Sequence, residues 1–194
     1  MGPSGAGKDS LLSAVLADPP ETAGKIVLAG RLVTRGTTAP SGDVFVTPED
    51  FERLLREKRL ALHWESHGHR YGVPRAMDLA LLAGALVLVN GSRAHYPRAR
   101  ELYPDLAGVM VTADEEVVRR RLMSRGRENP AGIAERIGRN KSLDSPPPAG
   151  VLVVDNSGPL EEAARIFRLF LAEIGGGPPK LTAACPAPSA RSGL

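Results

Sequence analysis

The chain has 194 residues, 42% hydrophobic and 24% charged, enough for one compact domain whose core, with aromatics at 4%, must be largely aliphatic. A net charge of +3 is too mild to imply a nucleic-acid surface, the single cysteine (Cys185) excludes a disulfide framework within the chain, and no apolar run spans a bilayer. These bounds predict a cytoplasmic protein that binds no nucleic acid and no membrane, and they set no oligomeric state.

Strands and helices alternate along the chain. "KDSLLSAVLA" has helical spacing, with Leu11, Leu12, Val15 and Leu16 on one side. "KIVLAGRLVTR" predicts a strand. "VTPEDFERLLREK" opens a helix with Thr47 as N-cap, Pro48 in the first helical position and Asp50 in the first turn. "LALHWESHGHRYGV" predicts two short strands around a turn at Gly68. "PRAMDLALLAG" predicts a helix ending at Gly84, and "ALVLVN" a parallel strand buried on both faces. "SRAHYPRARELYP" is helical in part, with Pro97 limiting its start. "LAGVMVTA" is another buried strand, followed by a helix with Thr112 and Glu115 spaced as a capping box. "PAGIAERIGRNKS" is helical and "VLVVD" is the last buried strand. "PLEEAARIFRLFLAEI" is an amphipathic helix with Leu160, Ala163, Phe167, Phe170 and Ile174 on its buried stripe. Residues 1–174 form one domain, and 175–194 have the composition of a disordered tail. The pattern predicts an α/β layered fold with a mostly parallel sheet.

The first residues, "MGPSGAGKDS", carry the chemistry. Gly2, Pro3, Ser4, Gly5, Ala6, Gly7 and Lys8 fit the spacing of a phosphate-binding loop. Its glycines let backbone N–H groups turn inward around an anion, the following helix adds its positive N-terminus, and Lys8 reaches the β- and γ-phosphates. The pattern departs from the usual one at Asp9, where a serine or threonine would help hold Mg²⁺. Asp9, with Ser10 beside it, either ligates the metal or caps the helix. Such a loop follows a central strand of its sheet, so that strand is expected upstream of Met1.

The segments "GPSGAGKDSLL", "RLVTR", "LALHWESHGHRYGV", "VLVNGSRAHYPRAR" and "RLMSRGREN" together resemble the ribose 1,5-bisphosphate phosphokinase family, a guanylate-kinase-like branch of P-loop kinases associated with bacterial phosphonate use. The resemblance runs from Met1 to about Ile174, and "GKDS" and "VNGSRAH" are its most specific parts. It implies a three-layer α/β P-loop kinase fold, with an acceptor-binding segment at about 31–73 and a lid at about 121–140. The implied reaction is Mg²⁺-dependent transfer of the ATP γ-phosphoryl group to a small-molecule phosphosugar partner, ribose 1,5-bisphosphate, giving 5-phosphoribosyl 1-diphosphate. Because the acceptor is already a phosphate, alignment and charge neutralisation carry the catalysis.

By the same resemblance, Arg35 and Tyr71 hold the acceptor phosphate, and Asn156 lies where such kinases read adenine. Asn90, Gly91, Ser92 and Arg93 follow a buried strand at its C-terminal end, where α/β folds place ligand contacts. They read either as acceptor-binding residues or as a strand-to-helix turn with Ser92 as N-cap. Arg121 and Arg125 share a helix face, and the resemblance makes Arg121 an ATP contact and Arg125 and Arg127 catalytic lid arginines. Arg119 and Arg120 read as a solvated face, and Arg136 and Arg139 as weaker candidates for the lid role. The alternating His63, Glu65, His67 and His69 read as polar residues near the acceptor pocket, because Gly68 interrupts their strand. The segment "GTTAPSGDVFV" lacks the second arginine and the tyrosine of guanylate kinases, which furnishes a guanine pocket poorly. Two alternatives stand beside the phosphokinase reading: a nucleoside monophosphate kinase acting on GMP, and a catalytically inactive nucleotide-binding scaffold.

Overall fold

The computed structural model describes residues 1–35, 42–66, 68–124, 126, 130–142 and 146–175. The tail beyond Gly175, His67, Arg125, Arg127 and the side chain of Arg139 lie outside the described residues.

Alternation along one strand explains the layering. In β6 (Leu86–Leu88), Leu86 and Leu88 join a cluster with Leu11 and Val15 of α1 (Lys8–Ala17) and with Ala164, Phe167 and Leu171 of α7 (Leu160–Gly175). Val87 and Val89 point the other way, into a cluster with Leu62, Val73, Met77 and Ala99. A strand covered on both faces must be apolar, as the run from Ala85 to Val89 is. Helices α1 and α7 form one outer layer; α3 (Ala76–Leu82) and α4 (Tyr96–Leu102) lie on the opposite side.

The strands that these helices cover form two parallel hydrogen-bonded pairs. In the first, β1 (Ile26–Leu28) pairs with β6; in the second, β7 (Val109–Thr112) pairs with β8 (Leu152–Asp155). Met1 lies on the edge of β7 opposite β8, where its amine donates to the Val109 carbonyl (2.9 Å) and its carbonyl accepts from Val111 N–H (2.9 Å). The loop that begins at Gly2 therefore springs from the sheet at the level of β7.

Between Leu32 and Pro74 the chain forms a separate four-stranded sheet in the order β3-β2-β5-β4. Its strands are β2 (Leu32–Val33), β3 (Val44–Phe45), β4 (Leu60–Ser66) and β5 (His69–Pro74), with α2 (Pro48–Arg56) packed against it. The single strand expected from "KIVLAGRLVTR" is two, in different sheets. Ala29 N–H continues the first ladder to the Leu88 carbonyl, and beyond Gly30 the chain leaves for β2. Phe51 of α2 is 1% exposed and meets Leu60 and Gly72, where an added Cβ would come within 2.8 Å of Leu60 Cδ1 and 3.1 Å of Phe51 Cε2.

Local signals hold where one side chain decides them. Thr47 Oγ1 accepts from Asp50 N–H at 3.1 Å, and Pro48 begins α2 as expected. The expected capping box at Thr112 does not form. Thr112 is still on β7, and α5 (Glu115–Ser124) is entered through Asp114, whose carbonyl accepts from Val118 and whose N–H donates to Ser157 Oγ at 2.8 Å. On α7 the buried stripe is Ala163, Ala164, Phe167 and Leu171, whereas Leu160 and Ile174 near its ends are each 37% exposed. The last strand, β8, is buried on one face only: Val154 is fully buried and Val153 is 44% exposed.

Phe51→Ala is expected to cost about 3–5 kcal/mol of unfolding free energy, and Thr47→Ala about 1 kcal/mol. Urea denaturation followed by circular dichroism checks both, and equal losses would contradict the packing assigned to Phe51.

Candidate active site

The glycine loop is shaped by close approaches that side chains would block. Gly2 has φ +147°, and a Cβ there would lie 2.2 Å from the Val111 carbonyl oxygen. Gly7, at φ +87° before α1, would place a Cβ 2.4 Å from Asn156 Nδ2. That space lets Asn156 donate to the Ala6 carbonyl at 2.7 Å. Asn156 is 1% exposed, with its Oδ1 buried and unpartnered among the described residues. The residue expected to read adenine thus turns its Nδ2 inward and braces the loop.

Lys8 folds back over the loop, donating to the carbonyls of Gly2 (2.9 Å) and Pro3 (2.8 Å). Its ammonium is thus held where the loop's N–H groups and the N-terminus of α1 converge. Arg121 comes up from α5 and donates through Nη2 to the Asn156 carbonyl at 2.8 Å. Its Nη1 is buried without a partner among the described residues and lies 3.6 Å from the position a Cβ on Gly7 would take. An unsatisfied guanidinium N–H beneath a phosphate loop fits an anionic ligand.

Helix α6 (Pro130–Ser142) clasps the loop at Ser4. Asn140 Nδ2 donates to the Ser4 carbonyl (3.0 Å), its Oδ1 accepts from Ser4 N–H (3.2 Å), and Arg136 Nη1 donates to Ser4 Oγ (3.1 Å). Asn140 escaped the sequence reading, and Arg136 was a weaker candidate there.

On the other side of α1, Asn90 Nδ2 donates to Asp9 Oδ1 at 2.7 Å. The Asn90 carbonyl accepts from Arg31 Nη1 at 2.8 Å, and Arg31 forms a two-bond fork with Asp43 (2.9 and 2.7 Å). Asp9, Arg31, Asp43 and Asn90 line a cavity of about 220 Å³. Tyr71 lies beneath the Arg31 guanidinium (5.4 Å to the ring centroid) and stacks on Trp64, which stacks in turn on His95. Arg31 and Asp43 also escaped the sequence reading; the only local signal was a second arginine in "RLVTR".

The remaining expected residues are scattered around this centre. Arg35 is exposed and has no polar partner among the described residues. Gly91 donates its N–H to the Val89 carbonyl at 3.0 Å. Ser92 is not a helix cap, because α4 starts only at Tyr96, after a turn. Arg93 is close enough to the Met1 amine to act on its ionisation: burial first, then Lys8 and Arg93, lower that amine to about 5. Ser10 is exposed on the first turn of α1.

A lysine folded over a glycine loop, at a helix N-terminus beside a parallel sheet, defines a P-loop phosphotransferase. Known proteins narrow the class. The chain is 47% identical over 144 residues to the ribose 1,5-bisphosphate phosphokinase PhnN of Azotobacter vinelandii, covering 74% of this chain and 78% of that relative. It is 45% identical to the protein of the same name from Pseudomonas fluorescens, over 82% and 86% of the two chains, and 36% identical to that from Brucella abortus, over 90% of each. The chain belongs to the ribose 1,5-bisphosphate phosphokinase family. Its fold is similar to that of a guanylate kinase from Anaplasma phagocytophilum, with a TM-score of 0.58 and 22% identity over 92% of this chain and 85% of that one. No family model matches the chain.

Asn156→Ala strands the Ala6 carbonyl in a buried setting and is expected to cost about 1–3 kcal/mol of stability. It should also weaken binding of a fluorescent ATP analogue, and unchanged binding would show that the loop keeps its shape without this brace. A second expectation concerns pH. Burial, with His63 and Arg98 nearby, holds the His95 imidazole below its usual value, so the folded protein resists protonating it. Folding stability from this group is complete above the unfolded value of about 6.5 and is lost as pH falls below it. His95→Phe should flatten that part of the stability–pH curve, measured by urea midpoints between pH 7.5 and pH 5.

Proposed function

We propose that the chain transfers the γ-phosphoryl group of ATP to the 1-phosphate of ribose 1,5-bisphosphate, yielding ADP and 5-phosphoribosyl 1-diphosphate, in the cytoplasm and in the service of phosphonate catabolism. An oxygen of the acceptor's 1-phosphate bonds to the γ-phosphorus as the bond to the β–γ bridging oxygen breaks. The nucleophile is already anionic, so no strong base is needed. The observation that carries the reading is the Lys8 loop lying directly beside a polar cavity that shares Asp9 with it, in a chain of this family.

The residues fit a nucleotide triphosphate. Gly2 to Ser10 would surround its phosphates, Lys8 would neutralise charge developing between the β- and γ-groups, and the free Nη1 of Arg121 would reach the same anion. Asp9 fits Mg²⁺ through its Oδ2, which has no partner among the described residues, with Ser10 adjacent. When bound, the metal supplies charge neutralisation on the phosphate oxygens. Arg35, Tyr71, Asn90, Gly91, Ser92 and Arg93 make up the acceptor side, and the lid arginines Arg125 and Arg127 close over the transferring group.

ADP formation from Mg·ATP, measured with ribose 1,5-bisphosphate and separately with GMP, tests the assignment. Turnover is expected with the sugar bisphosphate alone, and Lys8→Ala should lower kcat by roughly 10²–10³. Turnover of GMP would favour a nucleotide kinase. ATP binding without turnover of either acceptor would favour the inactive scaffold.

A further inference from the structure

The cavity beside Asp9 differs chemically from the loop. Its polar wall carries the carboxylates of Asp9 and Asp43, the guanidinium of Arg31 and the carboxamide of Asn90. A pocket for a phosphate would carry surplus positive charge. Here Asp43 neutralises Arg31 in a two-bond fork, so the guanidinium brings no surplus positive charge to the cavity. Such a neutral pair has little attraction for a phosphate and suits hydroxyl groups, whose O–H donates to the carboxylate and whose oxygen accepts from guanidinium N–H.

The donors are countable. Of the five guanidinium N–H bonds of Arg31, three are used among the described residues, by the two oxygens of Asp43 and by the Asn90 carbonyl, and two have no partner among them. The pair is well buried, with Arg31 14% and Asp43 7% exposed at the side chain. It is also rigid. Arg31 and Asp43 immediately precede the paired residues Leu32 and Val44 of the parallel β2–β3 ladder, and Tyr71 and Trp64 stack beneath the guanidinium. At about 220 Å³ the cavity is smaller than the 300–1,000 Å³ usual for drug-sized ligands, a size for a pentose ring rather than a nucleoside.

We propose that Arg31 and Asp43 recognise the ring hydroxyls of the pentose acceptor and thereby determine its selection over deoxy sugars and nucleotides. Asp9 and Asn90 form the adjoining wall. The inference rests on the phosphokinase reading, whose acceptor carries free hydroxyls on C2 and C3. It concerns the ring hydroxyls alone and assigns no residue to the acceptor's phosphates.

The test compares kcat/KM for ribose 1,5-bisphosphate with that for its 2-deoxy and 3-deoxy analogues, in the wild-type chain and in Asp43→Asn and Arg31→Lys. The wild type should prefer ribose over at least one analogue by on the order of 10²–10⁴, because a missing hydroxyl leaves buried polar groups unpaired. Both variants should lose most of that preference, falling to within about tenfold, while the ATP KM stays unchanged. An equal fall in kcat/KM for ribose and deoxy substrates would make the pair a structural brace and overturn the proposal. A wild type indifferent to both hydroxyls would also overturn it, and this arm needs no variant to fold. No turnover of ribose 1,5-bisphosphate by the wild type would overturn the phosphokinase reading itself, and this inference with it.

Discussion

The contact between the Asn156 carboxamide and the Ala6 carbonyl passes through a space that only glycine at position 7 leaves open. It joins the residue just after the last strand to the loop before the first helix, and the rest of the nucleotide side is arranged around it. Arg121 docks on the Asn156 backbone, Lys8 closes over the loop from within, and Asn140 and Arg136 hold the loop at Ser4. A phosphate loop works only if its N–H groups already converge before the anion arrives, because ordering them at binding would consume the affinity. The buried amide, bonded to the Ala6 carbonyl, supplies that order.

The cavity beside Asp9 is organised by strand register. In a parallel ladder, residues at the same level stand side by side, so the residues just before Leu32 and Val44 are brought together. Those residues are Arg31 and Asp43, and the Asn90 carbonyl at the end of the buried β6 segment completes the guanidinium's coordination. Asn90 then reaches across to Asp9 on the first turn of α1. The same few side chains thereby connect the four-stranded sheet, the end of β6 and the helix that follows the glycine loop. Phosphoryl transfer between two anionic groups depends on alignment more than on any single base.

Several features were legible from the residues themselves. The loop was, because its function lies in seven contiguous residues whose backbone freedom and charge are local properties. The two-faced β6 and the Thr47 cap were legible for the same reason: an unbroken apolar run and a Thr-Pro pair each report on their own surroundings. The Thr112 capping box failed because the spacing of two residues cannot say whether the chain has yet left the strand. The stripe on α7 was displaced because Leu160 and Ile174 near its ends project beyond the layer that the central residues cover.

The sequence by itself determined the phosphate loop, the alternation of strands and helices and the family to which the chain belongs, since all three are written in contiguous residue order. The tertiary structure alone decided which polar groups meet. Asn156 with Ala6, Asn140 with Ser4 and Asn90 with Asp9 are separated by 150, 136 and 81 positions. Periodicity assigns a side chain to a face of its own element, but the partner on the other side of that face is chosen by topology. That is why Asn156 braces the loop at Ala6, and why Arg31, neutralised by Asp43, lines the cavity beside Asp9 while Arg35 is turned to solvent.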